Sequence, residues 1–478
     1  MRKALAAGAG VVVVGLVVWF FALRGRDAAP PRTPQPAKPA KDPWLEAHPA
    51  KRDTGDHAAP RGLAPKWSLD VDPEGPLRLE GQVVDADGRG VGGANIALDS
   101  VPPRYAKSED DGTFAFDKLV GRKYALSASR GELVGGPVTY KLTSASDPVV
   151  IQVGPGAALE IDVADDHAHA IANASIEVPG QTKREGKTDD KGHATIRGVR
   201  PGWIAVEASA PGFAAATSYT SVGSAGATGH VSLVLRKGAA VSGRVVDEAG
   251  KPLAKVHVTA NDASGWSRGK DEQTTDDRGQ FTFPALAPGS HTLSAVDGEH
   301  APADSTPVSV TADRPVTGVV IAMKAGAVVS GTVVDADGKP RPFATVRVAG
   351  KGVEMWRVAS RQATTDQQGR FELRGLSRAH LQARAESDVA ASKLVDVDLA
   401  TQAAVRDVRL VLDVTGTIAG IVVDEAGQPV PEVEVNAFPD LLAGASTDGL
   451  ALAGMSSATT DGAGGFTIRG LPAGDYRL

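Results

Sequence analysis

From Val241 to Ala295 apolar residues recur at every second position in short runs, and no helical spacing interrupts them. Val241, Gly243 and Val245 alternate with Ser242, Arg244 and Val246, which predicts a strand with one buried face. Asp247-Glu248-Ala249-Gly250-Lys251-Pro252 then predicts a turn, because Asp bonds its own backbone, Gly accepts positive φ, and Pro fixes φ while withholding a donor. In the next strand Val256, Val258 and Ala260 face one way and Lys255, His257 and Thr259 the other. Thr275-Asp276-Asp277-Arg278-Gly279 predicts a hairpin turn that delivers Phe281 and Phe283 inward. Leu286 to Ala295 predicts another turn opening into an alternating strand.

The same skeleton recurs along the chain. The opening strand and its turn return at Gly81 to Gly88, Gly331 to Pro340 and Gly420 to Pro429, with a blurred copy from Leu159 to Asp166. The Thr-Asp-x-x-Gly-x-Phe turn returns at Thr365 to Phe371 and Thr460 to Phe466, as Ser108 to Phe114, and as Thr188 to Ala194 without its Phe. Its glycines stand at 112, 192, 279, 369 and 464, in steps of 80, 87, 90 and 95, the size of one small β-sandwich. The expected architecture is therefore all-β, with five tandem sandwiches at 76–153, 156–235, 239–324, 326–413 and 416–478. Junctions are short, as in Arg236-Lys237-Gly238-Ala239 and Lys324-Ala325-Gly326, and predict a stiff array. In the fifth unit Leu478 falls at the position of Leu293 in the third, which predicts that this unit is incomplete at its C-terminus.

Composition fits many short strands joined by tight turns, with 55 Gly and 31 Pro in 478 residues. Aromatics are 5% of the chain, so each core must rely on Val, Leu, Ile and Ala. A net charge of −6, scattered in sign, argues against a nucleic-acid partner. With no Cys there is no disulfide, thiolate metal site, Cys nucleophile or lipidated Cys.

The N-terminal segment breaks the pattern. After Met1-Arg2-Lys3, residues 4–23 are uncharged and apolar, and as a helix these twenty residues would span roughly the 30 Å of a bilayer core. A cleaved secretory signal is the competing reading, but the run is long for one, and Arg24 and Arg26 stand where a small-residue cleavage site should lie. A signal-anchor helix is the expectation, with the lipid bilayer as its partner. Positive charges on both sides leave its orientation open. Residues 27–66, rich in Pro, Ala and Lys, read as an extended spacer or simply as disorder.

The turn motifs Gly243-Arg244-Val245-Val246-Asp247-Glu248-Ala249-Gly250-Lys251-Pro252 and Thr275-Asp276-Asp277-Arg278-Gly279-Gln280-Phe281, with their counterparts, resemble the carboxypeptidase regulatory-like domain. That is a transthyretin-type, seven-stranded Greek-key sandwich. They resemble less closely the B-type repeats of bacterial collagen adhesins. The resemblance implies a non-catalytic accessory or adhesive module, often exported, with no cofactor. Such domains recur in cell-surface proteins, outer-membrane receptors and polysaccharide-binding proteins. The second unit departs most from the pattern, with His193-Ala194 in place of Gly-x-Phe and Asp165-Asp166-His167-Ala168-His169 in place of the first turn.

Few stretches invite chemistry. Gly265-Trp266-Ser267-Arg268-Gly269 matches a nucleophile elbow in letters, but sits between strands instead of at a strand-to-helix turn. His167 and His169 beside Asp165 and Asp166 suit a metal by type yet lack an assignable third ligand, so no metal site is expected. Asp85-Ala86-Asp87-Gly88 and Asp335-Ala336-Asp337-Gly338 resemble part of a calcium loop but lack its closing Glu, and turn chemistry accounts for them. No His-x-x-Glu zinc pair occurs, and no catalytic residue is assigned. Trp266 and Trp356 each stand nine residues before the Thr of their turns, at Thr275 and Thr365. They read either as core residues or as exposed platforms for a sugar ring, with Arg268 or Arg357 donating hydrogen bonds.

These observations predict a non-enzymatic stalk, scaffold or adhesion module. It would be single-pass in the cytoplasmic membrane, with its repeats exported to the periplasmic or extracellular side, where envelope proteins or polysaccharide are the expected partners. A carbohydrate-binding protein is the first alternative. The second is the anchor and spacer of an enzyme whose catalytic domain lies beyond residue 478.

Overall fold

The computed structural model describes residues 71–478 apart from 181–182, 263–270, 352–357, 359, 388–389, 431–432, 440–451, 453–455, 461–462 and 472. These belong to the second of two units of the chain, residues 53–478. The expected membrane helix at 4–23 and spacer at 27–66 lie outside the described residues. No helix among the described residues is long and apolar enough to cross a membrane.

The first sandwich sets the plan. Its strands are β1 (Leu77–Val84), β2 (Asn95–Leu98), β3 (Arg104–Lys107), β4 (Thr113–Leu119), β5 (Lys123–Arg130), β6 (Leu133–Lys141) and β7 (Val149–Gln152). One layer runs β4-β1-β7 and the other β3-β2-β5-β6, so the chain crosses between layers repeatedly. β1 lies antiparallel to β4 and parallel to β7.

The second unit, divergent in sequence, repeats this plan. Ala157–Asp165 pairs antiparallel with His193–Val199 and parallel with Thr228–Leu235, and the opposite layer is built on Ser175–Val178 and Gly202–Ser209. The third unit places Ala239–Val246 between Gln280–Leu286 and Val316–Ala322. In the fourth, Ala391–Ser392 pairs with both His380–Glu386 and Ala404–Val414 and stitches the two layers into one continuous sheet. In the fifth, Gly416–Ile421 pairs only with Gly465–Leu471 among the described residues, and Ile421 is exposed.

Each unit closes its own core from alternating aliphatic residues. Thr228–Leu235 alternates exposed and buried positions without a break. Phe281 and Phe283 both point inward, edge to face with ring centroids 5.9 Å apart.

The two recurring turns hold these layers by backbone bonds. In the first, the Asp side chain accepts from the backbone two and four residues on. Asp85 Oδ1 takes the N–H of Asp87 at 2.9 Å and of Arg89 at 3.0 Å, and Asp165, Asp247, Asp335 and Asp424 do the same. In the second, a buried hydroxyl joins the turn to the loop across from it. Thr365 Oγ1 donates to the Arg341 carbonyl and accepts from Ala344 N, each at 2.8 Å, and Ser108, Thr188, Thr275 and Thr460 occupy the same place.

The junctions are held by backbone pairing, a short strand pair at the first and single β-bridges at the next two. Between the first two units, Gly154 and Pro155 pair with Val134 and Leu133, and Gly156 N donates to Glu132 O at 2.9 Å. Between the second and third, Ala214 N donates to Arg236 O and Gly238 N to Gly212 O. Between the third and fourth, Ala301 N donates to Lys324 O and Gly326 N to Glu299 O. Each linker thus lies against the hairpin that follows the fifth strand of the unit before it.

An arginine reinforces two of these junctions. Arg184, on the third strand of the second unit, donates at 2.9 Å to Gly131 O of the first unit and to Gly198 O of its own. Arg361, at the same register position in the fourth unit and only 8% exposed, donates to Asp297 O of the third unit at 3.0 Å and to Gly375 O at 2.8 Å. Gly198 and Gly375 are bulge residues with φ of +68° and +64°. A Cβ on Gly198 would lie 2.8 Å from the Glu132 Cα, and one on Gly375 3.0 Å from the His300 carbonyl oxygen. In the third unit Asp271 and Ala285 hold the corresponding positions.

Candidate functional site

The residues named as sugar-binding candidates, Trp266, Arg268, Trp356 and Arg357, lie outside the described residues, as does Gly265 to Gly269.

His167 and His169 are placed on the exposed first turn of the second unit. The Asp165 carboxylate is engaged by the backbone N–H groups of both histidines, and His169 Nδ1 lies 3.1 Å from Asp165 Oδ2. His167 Nε2 is 3.9 Å from Asp166 Oδ1, and the two rings meet edge to face at 6.2 Å. No set of three metal-ligating side chains is gathered among the described residues. The arrangement caps a turn. The backbone hydrogen bond from His169 is the main cause that lowers the Asp165 pKa. The two Asp-x-Asp-Gly stretches also cap turns through their first Asp, and at Asp85 the N–H of Arg89 is the main cause of a lowered pKa.

Buried polar side chains elsewhere serve packing. Tyr124 donates its hydroxyl to Val120 O at 3.0 Å, and burial pushes its pKa up to about 12. Arg122 lies over that ring at 4.1 Å and bonds Asp72 at 2.7 Å, fixing the segment that enters the first sandwich.

One constellation has the character of a binding surface. Strand Gly202–Ser209 pairs with the edge strand Ala216–Val222, with Trp203 opposite Ser221 and Ala205 opposite Tyr219. Ile204, Val206 and Ala208 are buried, so the intervening residues point away from the core. Trp203 is 51% exposed and Tyr219 66%. They share the outer face as a diagonal cross-strand pair, roughly 7–8 Å apart at the backbone. The row beyond them continues through Glu207, opposite both Glu177 and Thr217. Lys183 neutralises part of this charge, at 3.0 Å from Glu177 and 2.7 Å from Glu185. Sequence reasoning passed over Trp203, although the alternation of Trp203, Ala205 and Glu207 with buried neighbours carries the signal.

A family model for the carboxypeptidase regulatory-like domain matches the chain four times in tandem, over residues 158–236, 240–324, 328–412 and 417–478. The chain belongs to the carboxypeptidase regulatory-like domain family. The first sandwich lies outside the matched residues yet has the strand order of its neighbours. Among solved structures, the chain is similar to the Bacillus anthracis TIE protein at 15% identity, over 70% of this chain and 67% of that one, with a TM-score of 0.18. It is similar to a streptococcal ancillary pilin at 12% identity, over 53% and 98%, with a TM-score of 0.23. Two B repeat units of the collagen binding protein of Staphylococcus aureus align at 14% identity, over 70% and 98%, with a TM-score of 0.16. No curated protein matches the chain in sequence. In this chain the carboxypeptidase regulatory-like domains present their polar residues as turn caps and sheet faces.

Proposed function

We propose that this chain is a non-enzymatic stalk. Tandem carboxypeptidase regulatory-like domains, tethered by the apolar segment 4–23 and set off by the spacer 27–66, stand outside the cytoplasmic membrane as a scaffold or adhesion module. The observation that carries this reading is the pairing of each linker with the preceding hairpin, as in Ala301 N to Lys324 O and Gly326 N to Glu299 O. A linker bonded on both sides passes force from one sandwich to the next through hydrogen bonds that must break together, which suits a load-bearing spacer better than a flexible tether. The recurring turn carboxylates and hydroxyls and the junction arginines are engaged with backbone groups, which supports a structural role for them.

The test is protease shaving of intact cells that express the full chain. Digestion of the sandwiches by external protease, or after opening of an outer membrane, with the 4–23 segment retained in the membrane fraction, is the expected result. Sandwiches that become digestible only after lysis of the cytoplasmic membrane would overturn the reading.

A further inference from the structure

We infer that the outer face of the second sandwich, carried by Trp203 and Tyr219, binds a neutral polysaccharide. The two rings are exposed on the outer side of one sheet, on neighbouring strands. Ala205, directly opposite Tyr219, is too small to fill the space between them. Ser221 flanks Trp203, and Thr217 with Glu207 continues the face beyond Tyr219, so hydrogen-bonding groups border each ring.

A sugar ring has this same alternation, with C–H groups on its face and hydroxyls around its rim. Stacking its face on an indole or phenol while the rim bonds Ser, Thr and Glu satisfies both parts together. The diagonal separation of the rings, roughly 7–8 Å, places one sugar on each with a chain crossing the two strands.

The charge on this face selects among partners. Glu177, Glu185 and Glu207 share this face with Lys183 and Lys187, a mixed-sign surface without the cationic excess that a phosphate or sulfate polymer or an anionic membrane requires. A protein partner would seek a contiguous apolar centre, whereas here two isolated rings stand among hydroxyls and carboxylates. An uncharged, hydroxyl-rich chain meets neither obstacle. The site is separate from the stalk role and does not depend on the membrane tether.

Affinity electrophoresis of the full chain in detergent, through gels containing hydroxyethyl cellulose, galactomannan or starch, tests this directly. The expected result is retardation by at least one neutral polymer, with apparent binding about tenfold weaker in Trp203→Ala and in Tyr219→Ala and largely kept in Trp203→Phe. Tyr105→Ala, at an exposed tyrosine of the first sandwich, should migrate as the parent does. Both platform positions are exposed, and circular dichroism would verify that the variants fold. Retardation by none of the three polymers overturns the assignment. So does retardation that survives the Trp203→Ala/Tyr219→Ala double variant, or that favours heparin or polygalacturonate over every neutral polymer.

Discussion

Thr365 shows how much a single hydroxyl holds. Fully buried, it bridges the Arg341 carbonyl and the Ala344 amide, and its counterparts do so in every sandwich. Replacing it by Val keeps the shape and strands both backbone groups. Thr365→Val should therefore destabilise its sandwich by about 1–3 kcal/mol, read as a shift in the urea midpoint of the full chain. An unchanged midpoint would mean that water reaches those groups. The residue was legible as part of a turn motif, because Thr-Asp-x-x-Gly recurs at a regular step. Its burial was not, since that depends on a loop about twenty residues upstream folding over it.

At the level of elements, alternation along the chain announced the strands and their buried faces, and Phe281 and Phe283 point inward as their spacing predicts. The junctions were legible only as short. Their hydrogen bonds run between backbone atoms, which leave no mark on side-chain pattern, and Arg184 and Arg361 look in sequence like ordinary surface residues. The binding face of the second sandwich was readable from alternation and was missed because Trp203 belongs to no repeated motif. Arg361 offers a direct check. Arg361→Ala removes donors to Asp297 O and Gly375 O. Tryptic cleavage after Lys324 should then become several-fold faster, while cleavage after Lys237, in a junction without such an arginine, keeps its rate. Equal rates before and after would show that the backbone pair alone holds the linker.

Over the whole molecule, carboxylate turns in the first, second and fourth sandwiches make these units sensitive to acid. The pKa of Asp85 is lowered chiefly by the backbone N–H of Arg89, that of Asp165 by His169 and that of Asp189 by His193. At Asp366 burial pushes upward, but the N–H and side chain of Arg370 outweigh it. A carboxyl group held below its unfolded pKa adds stability that is complete above the ordinary carboxylate range and disappears as pH falls through the lowered value. The melting temperature should stay level from pH 7 to about 5 and decline below about pH 4. A flat profile down to pH 2 would exclude these turns as stabilising elements. The bulge position carries a different consequence. Gly198, Gly375 and Gly470 leave room for a neighbour, whereas the first sandwich places Lys118 there, at φ +56° and paired with Glu74. Duplication of the second or fourth repeat would therefore give a copy with room to seat on whatever precedes it, whereas the third carries Ala285 at this position. A duplicate of the first sandwich would instead present a lysine where its neighbour's hairpin must rest, a bulkier contact than Gly198, Ala285 or Gly375 makes.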